Sequence, residues 1–292
     1  MFFIYSAFAS PLADHFLKLG TPKVARQAAT QRLQEDPDDI KAMAYLGISN
    51  CRVGRYEDAF AAFELSGDSN VGNAGEFKAD TYRALGLTEQ AISLRRELLQ
   101  DSRIKPSSAV RLRAAIVNDY RDAGLIGAAE SAAEDLLAHH PIAALSWIML
   151  AHIEMDKGNL DQAELYLMTA EQRGLPLDGQ LALGRWYLLS GYEETGFHLI
   201  QRTFQSVNSN RGLYYYGLGL SMVEGPQEAL LFLNRPKFAQ NNDPKVLYLR
   251  MQLYAATDEQ LKQKSTSDLL QSLYPENQWF QEQRILMEAQ SE

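Results

Sequence analysis

One glycine recurs along the chain with a near-constant spacing. Gly20, Gly54, Gly86, Gly124, Gly158, Gly191 and Gly225 are separated by 34, 32, 38, 34, 33 and 34 residues. A period of this length, held over most of 292 residues, means that one supersecondary unit is copied and stacked rather than a single compact core being built. Residues 39–63 show the unit most clearly. Asp38 or Asp39 is placed to cap a helix in which Ile40, Met43, Ala44, Leu46, Gly47 and Ile48 share one face. Gly54 ends it, and Tyr56, Ala59, Phe60, Ala62 and Phe63 restart the helical period within two residues. The spacing predicts an antiparallel helix pair whose two apolar faces need a neighbour.

A second column follows the turn: Ala25, Ala59, Ala91, Ala129, Ala163, Gly196 and Ala229. Small residues repeated there are expected where the second helix of each pair crosses the first, because a larger side chain would push the two apart. Around these columns stand Leu46-Gly47 with Ala59 and Phe63, Tyr82 with Ala91, Tyr120 with Ala129 and Pro141, Trp147 with Ala163 and Ala170, Leu183-Gly184 with Tyr187, and Gly217 with Ala229. In the third unit Ala79 replaces the glycine and Arg95 the phenylalanine.

A helix-turn-helix unit of about 34 residues with this W-x2-L-G-x2-Y, A-x3-F, P pattern resembles the tetratricopeptide repeat. The resemblance implies an all-α fold, a right-handed α-solenoid of about seven helix-turn-helix units over residues 6–240, with a degenerate repeat and C-terminal capping helices over 241–292. Helices are expected over 243–256, 258–273 and 276–289, with Trp279, Phe280 and Leu286 covering the end of the core. DSRIKPSS, residues 101–108, is expected to bulge as a longer loop, and SGDSNVGNAG, residues 66–75, to delay and shorten the next helix.

Residues 1–10, MFFIYSAFAS, form a separate apolar segment with a small-x-small Ala7-Phe8-Ala9 but no basic residue before it. It reads either as the tail of an export signal or as the first helix, and so the location as periplasmic or cytoplasmic. No run reaches the roughly 18 apolar residues of a spanning helix.

A net charge of -9 argues against a nucleic-acid surface. The single Cys51 excludes an intrachain disulfide and reads as a packing residue, and His139-His140 lacks further ligands nearby. The glycines of GLGL, residues 217–220, follow a helical pattern rather than a strand, so no dinucleotide site is expected. No nucleophile, acid and base are grouped, and neither an enzyme, a cofactor nor a metal is expected.

What remains is surface. In the family that the chain resembles, the first helices line a concave face that binds peptides or partner helices. Its inward positions here carry Tyr45, Arg52, Asp80, Arg83, Asn118, Arg121, His152, Met155, Arg185 and Tyr215. Four arginines on an acidic chain suit the carboxylates of an acidic or C-terminal partner segment, or else they pair with neighbours such as Asp80 and Asp122. The Lys/Asn pair of the family's chaperone-binding members is replaced by Ala44 and Ile48, or Glu76 and Asp80, so that clamp is not expected. The function implied is a non-enzymatic interaction scaffold or adaptor, in an envelope assembly or secretion setting if residues 1–10 are an export remnant. A structural subunit of a permanent complex, anchored through the tyrosines of LYYYGLGL, residues 213–220, is the alternative. The oligomeric state is left open.

Overall fold

The computed structural model describes residues 9–275, apart from 68–70, 72, 103 and 208. The described residues form sixteen α-helices paired into eight hairpins and no strand. The hairpins are α1 (Ala9–Lys18) with α2 (Pro22–Glu35), α3 (Ile40–Arg52) with α4 (Tyr56–Ser66), α5 (Ala74–Ala84) with α6 (Thr88–Gln100), and α7 (Pro106–Asp122) with α8 (Ile126–His139). Then come α9 (Ala144–Asp156) with α10 (Leu160–Gln172), α11 (Leu177–Leu189) with α12 (Glu193–Val207), α13 (Asn210–Val223) with α14 (Pro226–Leu233), and α15 (Pro244–Ala256) with α16 (Gln260–Leu273). The expected segment 1–10 falls outside the described residues up to residue 8, and so do the helix of 276–289 and its Trp279, Phe280 and Leu286.

Six of the seven glycine turns place one residue between the glycine and the second helix, and the seventh is a residue shorter, with Gly225 itself capping α14. Backbone φ is positive at all seven column glycines, from 70° at Gly20 to 106° at Gly225, a conformation that a Cβ disfavours. The eighth hairpin keeps the geometry without the residue, since Asp258 takes φ 57° at the corresponding place. Asp tolerates that region better than most residues.

The small-residue column lies at the crossing of the two helices. Its six alanines are all 0% exposed. At Gly196 the approach is closer still, for a Cβ there would lie 2.8 Å from the Gly184 carbonyl oxygen and 2.9 Å from the Leu188 nitrogen. The first helix answers with its own glycine. A Cβ on Gly47 would strike the Phe63 ring at 2.7 Å, and one on Gly184 would meet Ile200 at 2.5 Å. The large residue four places after the column thus fills the space that the first helix leaves open.

The extra residues of 101–108 do not form the expected long loop. Pro106 starts α7 at a position that needs no N–H, and α7 runs for 17 residues. The connection is only 101–105, so the added length is taken up by the helix. In the preceding hairpin α5 begins at Ala74 and has 11 residues.

Successive hairpins curve until the last reach the first. The Asn242 amide donates to the Gly54 carbonyl at 3.1 Å, and the Tyr56 hydroxyl donates to Asp243 at 3.0 Å. Asn210 reaches the Tyr56 hydroxyl at 2.9 Å and is itself held by Asn241 at 2.8 Å. Lys23 donates to the Pro236 carbonyl at 3.1 Å. The apolar contact follows the polar one: Leu247, Met251, Leu270 and Tyr274 share a core cluster with Leu17, Ile48, Tyr56 and Phe63. The solenoid is therefore a closed ring of hairpins with its first helices facing inward.

Gly54 serves both the turn and the closure, because a Cβ there would lie 2.6 Å from Asn241 Oδ1 and 3.0 Å from the Asp243 nitrogen. Gly158 has the same kind of φ, 80°, with nothing within 4 Å. Changing either to Ala forfeits about 1–2 kcal/mol for the left-handed backbone. Gly54→Ala also overpacks the closure, for a further loss of about 1–3 kcal/mol. Denaturant unfolding of the two variants should show Gly54→Ala as clearly the less stable; equal losses would mean that the closure adds nothing.

Candidate partner-binding cavity

The ring encloses a cavity of about 730 Å³, within the range of sites that take a small ligand or a chain end. It is lined mainly from the first helices and from the starts of α13 and α15, with Arg52, Asp80, Arg83, Arg121, Asp122, Asp178, Arg211, Tyr215, Asp243 and Lys245 among its walls. Five of these are cations (Arg52, Arg83, Arg121, Arg211, Lys245) and four are carboxylates (Asp80, Asp122, Asp178, Asp243). The interior thus leans positive in a chain of net charge -9.

Most of that charge is paired. Arg95 comes from the second helix of its hairpin, where other units carry an apolar residue, and is 1% exposed. It donates to Asp119 at 2.8 Å and to Asp80 at 2.7 Å. Arg83 lies 3.1 Å from Asp80, 3.5 Å from Asp122 and 3.8 Å from Asp119, and Lys245 of the eighth hairpin completes the chain on Asp122 at 2.6 Å. A second group is centred on Asp156, which accepts from Arg121 and Arg185, each at 2.7 Å.

The protonation of these groups follows from burial set against neighbouring charge. Burial alone would raise the carboxyls of Asp80, Asp122 and Asp156, but the cations beside them hold each below its ordinary value. At Asp119, 0% exposed, burial wins even against Arg95 and Arg83 and pushes the carboxyl up to about 6. Burial, then Arg121 and Arg185, drives His152 well below its usual value, so its ring is neutral. Burial would raise the Tyr215 phenol, yet Arg185, Arg211, Arg121 and Lys245 together bring it down.

The ten inward positions are not all brought together. Arg52, Asp80, Arg83, Arg121 and Tyr215 line the cavity. Arg185 stands beside it on Asp156, with His152 at 3.4 Å. Tyr45 is partly buried against the cluster of the first hairpins. Three lie under the surface: Asn118 accepts from Arg121 at 2.8 Å, His152 is buried, and Met155, 4% exposed, belongs to the apolar core of the middle hairpins. The tyrosines of residues 213–220 turn inward as well. Tyr216 stacks on Phe232 at 4.3 Å, and Tyr214 and Tyr215 pack on each other at 5.4 Å.

Two cations of the lining form no ion pair among the described residues. Arg52 donates to the Leu17 carbonyl at 2.8 Å and lies 5.2 Å above the Phe77 ring. Arg211 has neither an ion pair nor a hydrogen bond among the described residues, although it lines the cavity and its charge helps to lower the Tyr215 phenol and the Asp80 and Asp122 carboxyls. Arg211 was reachable from the sequence, since it stands one helical turn before Tyr215. Lys245 and Asp243 were not, because they belong to the hairpin whose turn lacks the glycine.

Removing Arg95 would leave Asp119 buried without its closest partner, at a cost of about 3–5 kcal/mol for a broken buried pair. A carboxyl whose folded pKa is raised costs stability above its unfolded pKa. In Arg95→Ala the pKa of Asp119 rises further, so this extra loss is present at pH 8 and fades as pH falls to about 6, below which Asp119 is protonated in both folded chains. Denaturant unfolding at pH 8 and pH 5 should show the larger deficit at pH 8; equal deficits would contradict it.

The comparisons with known proteins agree with this architecture. The sequence model of the tetratricopeptide repeat matches residues 114–178. Among solved structures, a tetratricopeptide repeat protein from Parabacteroides merdae superposes with a TM-score of 0.51 at 16% identity, covering 84% of this chain and 97% of that one. The APC/C hetero-tetramer Cut9-Hcn1 gives 0.50 at 14% identity, covering 90% of this chain and 52% of that one. At such identities the likeness concerns the fold. No curated protein matches the sequence. The family motif matches the central hairpins, and the glycine turn and alanine crossing recur before and after them, so the chain has the fold of a tetratricopeptide repeat solenoid, a fold that serves as a protein-interaction scaffold.

Proposed function

We propose that this chain is a non-enzymatic adaptor that holds an acidic or C-terminal segment of a partner protein in the cavity of its ring. The observation that carries the reading is the pair Arg52 and Arg211, cavity-lining cations that form no ion pair among the described residues. Desolvated guanidinium groups are best satisfied by carboxylates. Arg83, Arg121 and Arg185 are already engaged with Asp80, Asp122 and Asp156, so they hold the walls in place rather than grip the partner. The inward packing of Tyr214, Tyr215 and Tyr216 removes the feature that favoured a permanent subunit. Envelope assembly is the narrower setting we attach to the adaptor, on the Ala7-Phe8-Ala9 run; an unprocessed Met1 on the mature protein would contradict it.

The test is fluorescence anisotropy with labelled peptides ending in two glutamates, set against amidated peptides with glutamine in their place. A charge-assisted hydrogen bond is worth about 1.5–3 kcal/mol, so Arg211→Gln should weaken the acidic peptide at least about tenfold. Lys264→Gln, on the exposed outer side of α16, should leave it unchanged. Equal affinity of Arg211→Gln and the parent chain would overturn the proposal.

A further inference from the structure

A second cleft, of about 350 Å³, adjoins the central cavity and shares Gly20, Pro22, Arg52, Ser209 and Asn210 with it. It lies at the seam of the ring, where the first two hairpins meet α12, α13 and the 234–243 connection. Its chemistry differs from that of the cavity. Val24, Val53, Phe204, Leu213 and Phe238 give it apolar walls. Its charged lining residues are Lys23, Arg52 and Lys237, with no Asp or Glu.

None of the three cations forms an ion pair among the described residues. Lys23 donates to the Pro236 carbonyl, Arg52 donates to the Leu17 carbonyl, and Lys237 lies over the Phe238 ring at 5.1 Å. The helix starts of α2, at Pro22, and of α13, at Asn210, open on the same cleft, and both add their positive ends to it. A carboxylate-free cluster of this kind is unusual in a chain with 37 acidic residues against 28 basic ones. Charge there is of one sign, while the volume and apolar walls are those of a small-molecule site.

We propose that the seam cleft binds a small amphiphilic carboxylate, its apolar body against Phe204, Leu213 and Phe238 and its anionic head at Arg52, Lys23 and Lys237. A purely inorganic anion would leave the apolar walls unused, and a neutral apolar ligand would leave three cations unmatched. Because the cleft is formed by hairpins that are distant in sequence, the ligand binds only the closed ring and stabilises it by mass action. The site shares Arg52 with the adaptor reading and differs from it in Lys23, Lys237 and the apolar walls, while Arg211 belongs to the central cavity alone.

Isothermal titration of the full chain with sodium octanoate tests the assignment, with octanamide and sodium acetate as the neutral and bodiless counterparts. Saturable binding of one octanoate is expected, at least about tenfold tighter than octanamide or acetate, with a rise in the unfolding midpoint on adding it. Lys237 is exposed, so Lys237→Gln should keep the parent unfolding midpoint while weakening octanoate several-fold, and Arg52→Gln should weaken it about tenfold. Lys264→Gln should bind as the parent does. No octanoate binding, octanamide binding equally well, several equivalent weak sites, or unchanged affinity in both Lys237→Gln and Arg52→Gln would each overturn it.

Discussion

Two helices can lie against each other only as closely as their thickest facing side chains allow, and the rest of this structure depends on that limit. Where each hairpin crosses itself the column holds alanine, or at Gly196 no side chain at all, with the alanines fully buried. This sets one separation for seven successive hairpins, and beside Gly47 and Gly184 the large residue four places on, Phe63 or Ile200, fills the gap. Hairpins of equal shape stack with equal offsets. Small offsets add up, and here they bring the end of the chain back to its beginning.

The closure gives the protein an interior. In an open solenoid the first helices would present an exposed surface, on which charged side chains gain little from pairing. Enclosed by the eighth hairpin, the same positions lose water, and every charge must find a partner or be left costly. Arg95, Asp119, Asp80, Arg83, Asp122 and Lys245 meet that demand with one another. Arg52 and Arg211 form no such pair among the described residues, and on that difference the proposals of an anionic occupant for the cavity and its seam rest.

The fold was legible in the sequence because its two determinants are local. A positive φ favours glycine and a close crossing needs a small residue, and the two stand five residues apart in six units and four apart in the seventh. The eighth hairpin was harder to recognise as a copy because Asp258 takes the left-handed turn and Gln263 stands where other units have the small residue. The inward positions were located by counting along a repeat, which finds the right face of a helix. Counting cannot tell a residue that lines a cavity, such as Arg83, from one sunk beneath it, such as Met155. Nor does it show closure, since the bonds from Tyr56 to Asp243 and from Asn242 to Gly54 join residues almost two hundred positions apart.

The ring is the claim on which the cavity, its charge pairing and its seam all rest. Pulsed electron spin resonance between labels at Glu57 and Gln240, both exposed beside the closure, measures it directly. A single short and narrow distance is the result that a closed ring predicts. A long, broad distribution would show that the hairpins form an open superhelix in solution, and would contradict the account.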